Sequence, residues 1–150
     1  MPAESAEATL AGRLRYQAGA CEGLGSHLYA GLLGRAAEDL EAHGPTWEVL
    51  RGHERDPGPS ALALRLMGAV NRLVLADREP SLAAIYRDRD ADPTQAWDAF
   101  RSTLERNTDE LRGLVQLPVQ TNEAGRSSAL LLGFLTVAAE TGLQIGRAHV

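Results

Sequence analysis

The sequence predicts an all-α protein, a small array of about six helices. Three observations support this class. The 150 residues include 24 Ala and 23 Leu but only 17 Val, Ile and Thr together, a balance that favours helix over strand. Apolar residues recur at helical spacings of three and four along several segments. No segment alternates between apolar and polar residues as a half-buried strand does.

The first two predicted helices form the amino-terminal part of the array. The first runs from about Ala3 to Ala20, with Leu14 and Tyr16 among the side chains turned inward. Ser26 is the expected N-cap of the second helix. This helix has the clearest apolar stripe of the chain, and Gly44 is its expected stop.

The middle of the chain predicts a short helix and a buried one. Pro45 starts a short helix that ends near Leu50, because proline suits the first helical turn. The Asp-Pro-Gly-Pro run at 56–59 predicts a turn. Ser60 is expected to cap a helix that reaches Ala76 and carries apolar residues nearly all around it, as central buried helices do.

Two further helices are predicted before the next proline break. Pro80 starts a short helix through Tyr86, and the charged run at 87–90 is expected to be a solvated loop and not a binding patch. Asp92, followed by proline, predicts a strong helix start, and the helix is expected to continue through Leu114.

A last helix is expected from about Asn122 to Glu140, after a break at 117–120. Its most apolar run, Ala129–Ala139, has eleven residues, whereas a membrane span needs about 20. The chain start, Met1-Pro2-Ala3-Glu4, does not predict a secretory signal. We therefore expect a soluble protein with no membrane partner.

Composition narrows the classes of function. The 44% hydrophobic and 23% charged residues exclude a disordered chain, and the net charge of −5 gives no general electrostatic attraction to nucleic acid. A single cysteine, Cys21, forms no internal disulfide, which favours the reducing cytoplasm. The histidines His27, His43 and His53 lack metal-ligand spacing, so no metal site is expected.

The carboxyl-terminal residues Gln144–Val150 resemble the in-frame translation of a common sequencing-library adapter. We therefore expect a helical domain over residues 1–143, an adapter-derived tail over 144–150 and a natural chain that continues past Leu143. An ordinary polar carboxyl terminus is the alternative interpretation.

One polar constellation predicts a binding function: Gln120, Thr121, Asn122, Glu123 and Arg126. Asn122 or Thr121 can cap the last helix, and Arg126 follows on the same face as Glu123. The group can line a pocket and present a guanidinium and free backbone N–H groups to an anion. The alternative is a capped helix with an ordinary ion pair.

Weaker candidates lie elsewhere, and no catalytic residue is identified. Asn71 and Arg72 sit inside the predicted buried helix and can face the same pocket, although an arginine there more often reaches the surface. Tyr16, near the end of the first predicted helix, has the same ambiguity.

Several segments resemble the amino-terminal half of the bacterial family called domain of unknown function 2332. They are Arg-Tyr-Gln at 15–17, Gly-Ser-His-Leu-Tyr at 25–29, the apolar runs at 63–70 and 72–75, and Pro-Val-Gln-Thr-Asn-Glu-Ala-Gly-Arg at 118–126. The resemblance extends nearly to Leu143, and the 118–126 segment is its most specific part. Asn71 departs from the pattern, since histidine is expected there more often, which weakens the case for proton transfer at that position.

The resemblance implies a second half that is missing from this chain. Members of the family continue into a glycine-rich segment similar to the nucleotide loop of Rossmann-type methyltransferases. That similarity implies S-adenosylmethionine as a cofactor of the full-length protein, with no cofactor in this fragment. The helical part would be an inert lid or substrate-recognition module whose partners are the carboxyl-terminal half and an unknown small molecule. The alternative is a non-enzymatic interaction module that forms a homodimer.

Overall fold

The computed structural model describes residues 4–116, and they confirm the all-α class. Seven α-helices follow one another in that range: α1 (Ala6–Gly23), α2 (His27–Glu41), α3 (Pro45–Leu50), α4 (Leu62–Leu75), α5 (Pro80–Arg87), α6 (Pro93–Arg106) and α7 (Thr108–Leu114). A short 3₁₀ turn, Gly58–Ser60, precedes α4. The predicted break at 117–120, the last helix at 122–140 and the tail at 144–150 lie outside the described residues.

The core is built around α4. Ten of its fourteen residues are buried, more than in any other helix described, and it contacts α1, α5 and α7. Helices α1 and α2 pack against each other most extensively, and α6 closes the other side of α2. Across residues 4–116, the search for a helix with the length and apolarity of a membrane span finds none.

Three helices end in the same Schellman motif, in which the chain turns back through a left-handed residue. At the end of α1 the N–H of Ser26 donates to the carbonyl of Cys21 at 2.8 Å, and Gly25 has φ of +85°. The equivalent left-handed residues after α2 and α4 are His43 and Asp77. Glycine suits this conformation because it has no Cβ to clash.

Two expectations about the start and face of a helix are wrong. Ser60 does not cap α4, because its hydroxyl donates to the carbonyl of Pro57 at 2.6 Å and the left-handed Ala61 comes before the helix. Tyr16 does not turn inward, since it is 81% exposed. Helix α1 also begins at Ala6, later than Ala3, after a cap by Ser5.

The helix predicted from Asp92 through Leu114 is in fact two helices. Its start is as predicted, because a carboxylate oxygen of Asp92 accepts from the N–H of Gln95 at 3.0 Å. It breaks at Asn107, whose side-chain amide donates to the Glu79 carboxylate and to a backbone carbonyl, each at 2.9 Å. An Asn side chain that bonds in this way competes with the helical backbone.

Helix α2 supplies the missing N-terminal cap of α3. Gly44 occupies the N-cap position and has no side chain, so an oxygen of Asp39 accepts from the N–H of Thr46 at 2.8 Å. The other carboxylate oxygen accepts from Arg101 Nε on α6 at 3.3 Å. One carboxylate therefore connects three helices.

Replacing Gly44 by Ala is expected to lower the free energy of unfolding by about 2 kcal/mol. A Cβ at Gly44 would lie 2.0 Å from Asp39 Oδ1, so the carboxylate must move away from Thr46 and Arg101. Urea denaturation measures the change. Gly34→Ala is the control, because a Cβ there meets nothing within 4 Å, and it should raise stability by up to about 1 kcal/mol. Equal effects of the two variants would contradict the role of Asp39.

Candidate functional site

A cavity of about 380 Å³ lies between the first half of α2 and the segment that joins α5 to α6. We call it the α2–α6 cavity. One wall consists of residues 25–28 with Gly31, Leu32 and Arg35. The other wall consists of Tyr86, Asp88, Arg89, Ala91, Pro93 and Ala96. A largely apolar concavity with a few polar groups is typical of a small-molecule site.

The tight corner between α1 and α2 shapes one end of the cavity. Ser26 lies between the two helices and takes part in the end of one and the start of the other. Its N–H closes the Schellman motif of α1, and Ser26 occupies the N-cap position of α2. Its backbone lies at φ −91° and ψ 74°, whereas the capping Ser5 is extended at ψ 158°. The Ser26 hydroxyl therefore makes no cap hydrogen bond. The prediction of Ser26 as N-cap is right for the position and wrong for the hydrogen bond.

Two residues of the cavity lining, Ser26 and Tyr86, have hydroxyl oxygens that are themselves buried beneath the cavity surface. Ser26 is 6% exposed and Tyr86 is 1% exposed, and neither hydroxyl oxygen has a hydrogen-bond partner in the part of the chain that the structure describes. An unpaired buried polar group costs about 1–3 kcal/mol. Burial, with a smaller contribution from Tyr29, raises the pKa of Tyr86 well above its usual value. The Tyr86 phenol is therefore protonated and able to donate.

The described lining of the cavity carries more positive than negative charge. Within residues 4–116, no acceptor takes a hydrogen bond from the backbone N–H of His27 or of Leu28. These two N–H groups belong to the first turn of α2, at the positive end of its dipole. No carboxylate in the same range pairs with Arg35. At the rim, His27 Nδ1 contacts the Glu22 carboxylate, and both side chains are exposed. Asp88 is the one carboxylate of the described lining.

The main site predicted from the sequence belongs to the 120–126 motif. Gln120, Thr121, Asn122, Glu123 and Arg126 all lie outside the described residues.

The weaker candidates are described, and the structure does not bring them together. Asn71 is fully buried on α4, and within the described part of the chain neither its amide oxygen nor its amide nitrogen has a partner. Arg72 is exposed beside it. The pKa of Glu110 is lowered mainly by its hydrogen bond from Arg78, and the charge of Arg72 lowers that pKa slightly further. Tyr16 is exposed on α1. None of the three lines the α2–α6 cavity.

Sequence reasoning missed the residues that line this cavity. Ser26 and His27 were in view, within a segment that carries the family resemblance, but were expected only to cap a helix or lie on the surface. The charged run at 87–90 is exposed, as predicted for a solvated loop, and its Asp88 and Arg89 also form part of a cavity wall. The cavity depends on how α2 packs beside the segment between α5 and α6, which only a structure provides.

Other reactive groups stay outside the cavity. Cys21 is buried beneath the α1–α2 corner, and burial raises the pKa of its thiol, against a weaker effect of the hydrogen bond from Gln17. A raised thiol pKa fits the sequence interpretation of an inert cysteine. Over residues 4–116, no three His, Cys, Asp or Glu side chains are grouped to hold a metal ion.

Comparison with known proteins places the chain in one family. No curated protein and no solved structure has significant similarity to it. The sequence model of the family described as "Uncharacterized protein conserved in bacteria (DUF2332)" matches residues 11–149, which is most of the 150-residue chain. The described part of that match carries all the residues of the α2–α6 cavity. The chain belongs to the DUF2332 family.

Proposed function

We propose that this chain is the helical lid or substrate-recognition module of a methyltransferase-like DUF2332 protein, and that the α2–α6 cavity holds the substrate. One observation carries the proposal: residues of α2 and of the segment between α5 and α6 form a largely apolar cavity of about 380 Å³ with a few polar and charged residues in its lining. A concavity of this size and character is typical of a small-molecule site.

The chemistry of the cavity supports recognition and not reaction. The lining residues that the structure describes include no cysteine and one histidine, His27, which is exposed at the rim in contact with Glu22. The fragment is therefore inert by itself in our proposal. The carboxyl-terminal half of the complete protein would bind S-adenosylmethionine and supply the methyl group, in the reducing cytoplasm that the lone Cys21 favours.

The residues of the 120–126 motif have a place in this proposal. Gln120, Thr121, Asn122, Glu123 and Arg126 would face the cleft between the helical module and the methyl-donor half. Arg126 and the free N–H groups of a helix start suit a carboxylate or a phosphate group of the substrate or cofactor.

The test begins with the source locus, sequenced past the codon for Leu143, so that the complete protein can be produced. In calorimetric titration, we expect S-adenosylmethionine to bind the complete protein and not to bind the 150-residue chain. Arg126→Ala in the complete protein should weaken that binding about tenfold or more without lowering the unfolding temperature. Arg55→Ala, at an exposed position outside the cavity, is the control. An absence of binding by the complete protein, or equal binding by the 150-residue chain, would refute the proposal.

A second candidate function is a non-enzymatic interaction or homodimerisation module. Tyr16 and Leu24, at 81% and 77% exposure, are large apolar side chains on and just after α1. A partner helix that covered them would bury apolar surface and stabilise the complex. This candidate predicts a concentration-dependent dimer in sedimentation, lost in Tyr16→Ser, and a melting temperature that no small ligand raises.

A further inference from the structure

We infer that Glu7, His43 and Trp47 form a pH-sensitive latch, which holds the start of α1 more tightly against the corner between α2 and α3 when His43 is protonated. The three residues come from different parts of the fold: Glu7 lies in the first turn of α1, His43 follows the end of α2, and Trp47 belongs to α3. The latch is independent of the proposed function, because none of its residues lines the α2–α6 cavity.

The imidazole of His43 contacts both of the other side chains. Its Nε2 lies 2.6 Å from Glu7 Oε2, and its ring stacks on the indole of Trp47 with ring centroids 4.6 Å apart and planes 15° apart. A protonated imidazole forms a charge-assisted hydrogen bond with a carboxylate, and a cation is attracted to the face of an indole ring. Both contacts therefore favour the imidazolium form of the ring.

The ends of the two helices favour the same charges. His43 follows the carboxyl-terminal end of α2, where the helix dipole favours a cation, and Glu7 lies at the amino-terminal end of α1, where it favours an anion. Hydrogen bonds from its own backbone N–H and from His43 lower the pKa of the Glu7 carboxyl. Glu7 is therefore ionised across the range of about pH 5–8 in which histidine side chains change their charge.

An independent observation comes from the backbone of His43. The residue has φ of +58°, in the left-handed region that glycine adopts most easily. The equivalent residue after α1 is Gly25, at φ +85°. Histidine adopts this conformation at a cost that glycine avoids, which supports a role for its side chain.

No carboxylate other than Glu7 pairs with His43 in the part of the chain that the structure describes. The other acidic side chains around this corner interact elsewhere: Glu4 with Thr9, Glu38 and Glu41 with Arg15, Asp39 with Arg101, and Glu48 with Arg51. The charge of His43 therefore acts mainly on Glu7. A neutral His43 keeps the stack and can still donate a hydrogen bond, but it loses the ion pair, so the latch loosens as the pH rises.

Tryptophan emission and amide exchange of the 150-residue chain, measured between about pH 5 and pH 8, test the latch. An imidazolium stacked on an indole quenches its emission more than a neutral imidazole does, so the emission should rise with pH. The Thr9 amide of α1 donates to the Ser5 carbonyl at 3.0 Å. Its protection factor should fall about threefold over the same range, because an ion pair between partly exposed side chains contributes only modestly to stability.

Four variants assign these responses to the latch. His43→Gly suits the left-handed backbone and should abolish both pH responses in a folded chain. Trp47→Phe should abolish the response of the emission, and Glu7→Gln should abolish the response of the Thr9 amide while the emission still changes. His27→Gln is the control, because it removes another exposed histidine that contacts a carboxylate, and it should keep both responses.

Two results would overturn the inference. One is an emission or a Thr9 protection factor that stays constant over this pH range in the native chain. The other is a pH response of either signal that persists in His43→Gly. Neither result depends on whether the complete protein binds S-adenosylmethionine.

Discussion

Replacing Arg65 by Leu is expected to lower the free energy of unfolding by about 3–5 kcal/mol. Arg65 is 2% exposed, and its Nη2 donates to Asp56 Oδ2 at 2.7 Å. Its Nη1 and Nε donate to the backbone carbonyls of Val115 and Ser60. Without the guanidinium, the largely buried Asp56 carboxylate keeps only His53 as a partner, and the buried Val115 carbonyl loses its hydrogen bond from Arg65. The midpoint of urea denaturation measures the loss.

Arg55→Leu is the matched control for this prediction. Arg55 lies next to Asp56 in the segment before α4 and is exposed, so the same change of side chain should leave the midpoint nearly unchanged. Asp56→Asn tests the pairing, because the double variant with Arg65→Leu should cost less than the sum of the two single variants. Additive effects, or an Arg55 variant as damaging as the Arg65 variant, would contradict the buried pair.

The effect of Arg65→Leu should depend on pH. Burial raises the pKa of Asp56, but hydrogen bonds from Arg65 and His53 outweigh it, and the pKa is lowered. A carboxyl whose pKa is lower in the folded state stabilises the fold above its unfolded pKa of about 3.9. That contribution is lost as the pH falls through the folded value. The difference in the free energy of unfolding between the native protein and Arg65→Leu should therefore become smaller in acid.

The Arg65 cluster also has a positional role. His53 Nδ1 lies 2.8 Å from Asp56 Oδ2, the oxygen that also accepts from Arg65. Both residues belong to the segment before α4, whereas Val115, whose carbonyl also accepts from Arg65, follows α7. Arg65 thus fixes the end of α7 on α4.

Helix starts with strong local signals could be predicted from the sequence. Pro45, Pro80 and Pro93 each begin a helix as expected, because proline fixes a backbone angle that suits the first turn. The break at Asn107 could not be predicted, since it depends on Glu79, which is 28 residues away in sequence. Local propensity does not report such a partner.

The described cavity escaped prediction for a similar reason. Ser26 and Tyr86 lie 60 residues apart in sequence and face one cavity only because α2 packs beside the α5–α6 segment. The failure of Ser26 to cap α2 follows from the backbone of the Schellman motif, which composition does not reveal. The 120–126 motif stood out because five polar residues fall within seven consecutive positions, and it stays a prediction.

Replacing Glu79 by Gln is expected to lower the free energy of unfolding by about 2–4 kcal/mol at neutral pH. Glu79 is 4% exposed, and its carboxylate accepts from the Thr103 hydroxyl at 3.0 Å, from the Asn107 amide at 2.9 Å and from the Arg106 guanidinium. A Gln amide keeps the shape but turns an NH₂ group toward these donors. At least one donor then lacks an acceptor, and urea denaturation measures the cost.

The pH dependence of the loss of stability in Glu79→Gln distinguishes the contribution of the carboxylate charge from that of the side-chain shape. Burial raises the pKa of Glu79, but hydrogen bonds from Arg106, Asn107 and Thr103 outweigh it and lower the pKa below its ordinary value of 4.5. The stabilisation by the carboxylate is therefore complete above the unfolded pKa and is lost as the pH falls through the folded pKa. The difference in stability between the native protein and Glu79→Gln should narrow below about pH 4.5.

Glu110→Gln is the control, because it removes the same charge from a pair of similar geometry. Glu110 lies 2.7 Å from Arg78, but its side chain is 43% exposed, and exposed pairs contribute little to stability. A loss from Glu110→Gln as large as that from Glu79→Gln would show that burial is not what makes the Glu79 carboxylate important. Because Glu79 also holds Asn107 at the α6–α7 break, Glu79→Gln should speed hydrogen exchange of the Leu111 amide, which donates to the Asn107 carbonyl at 2.8 Å.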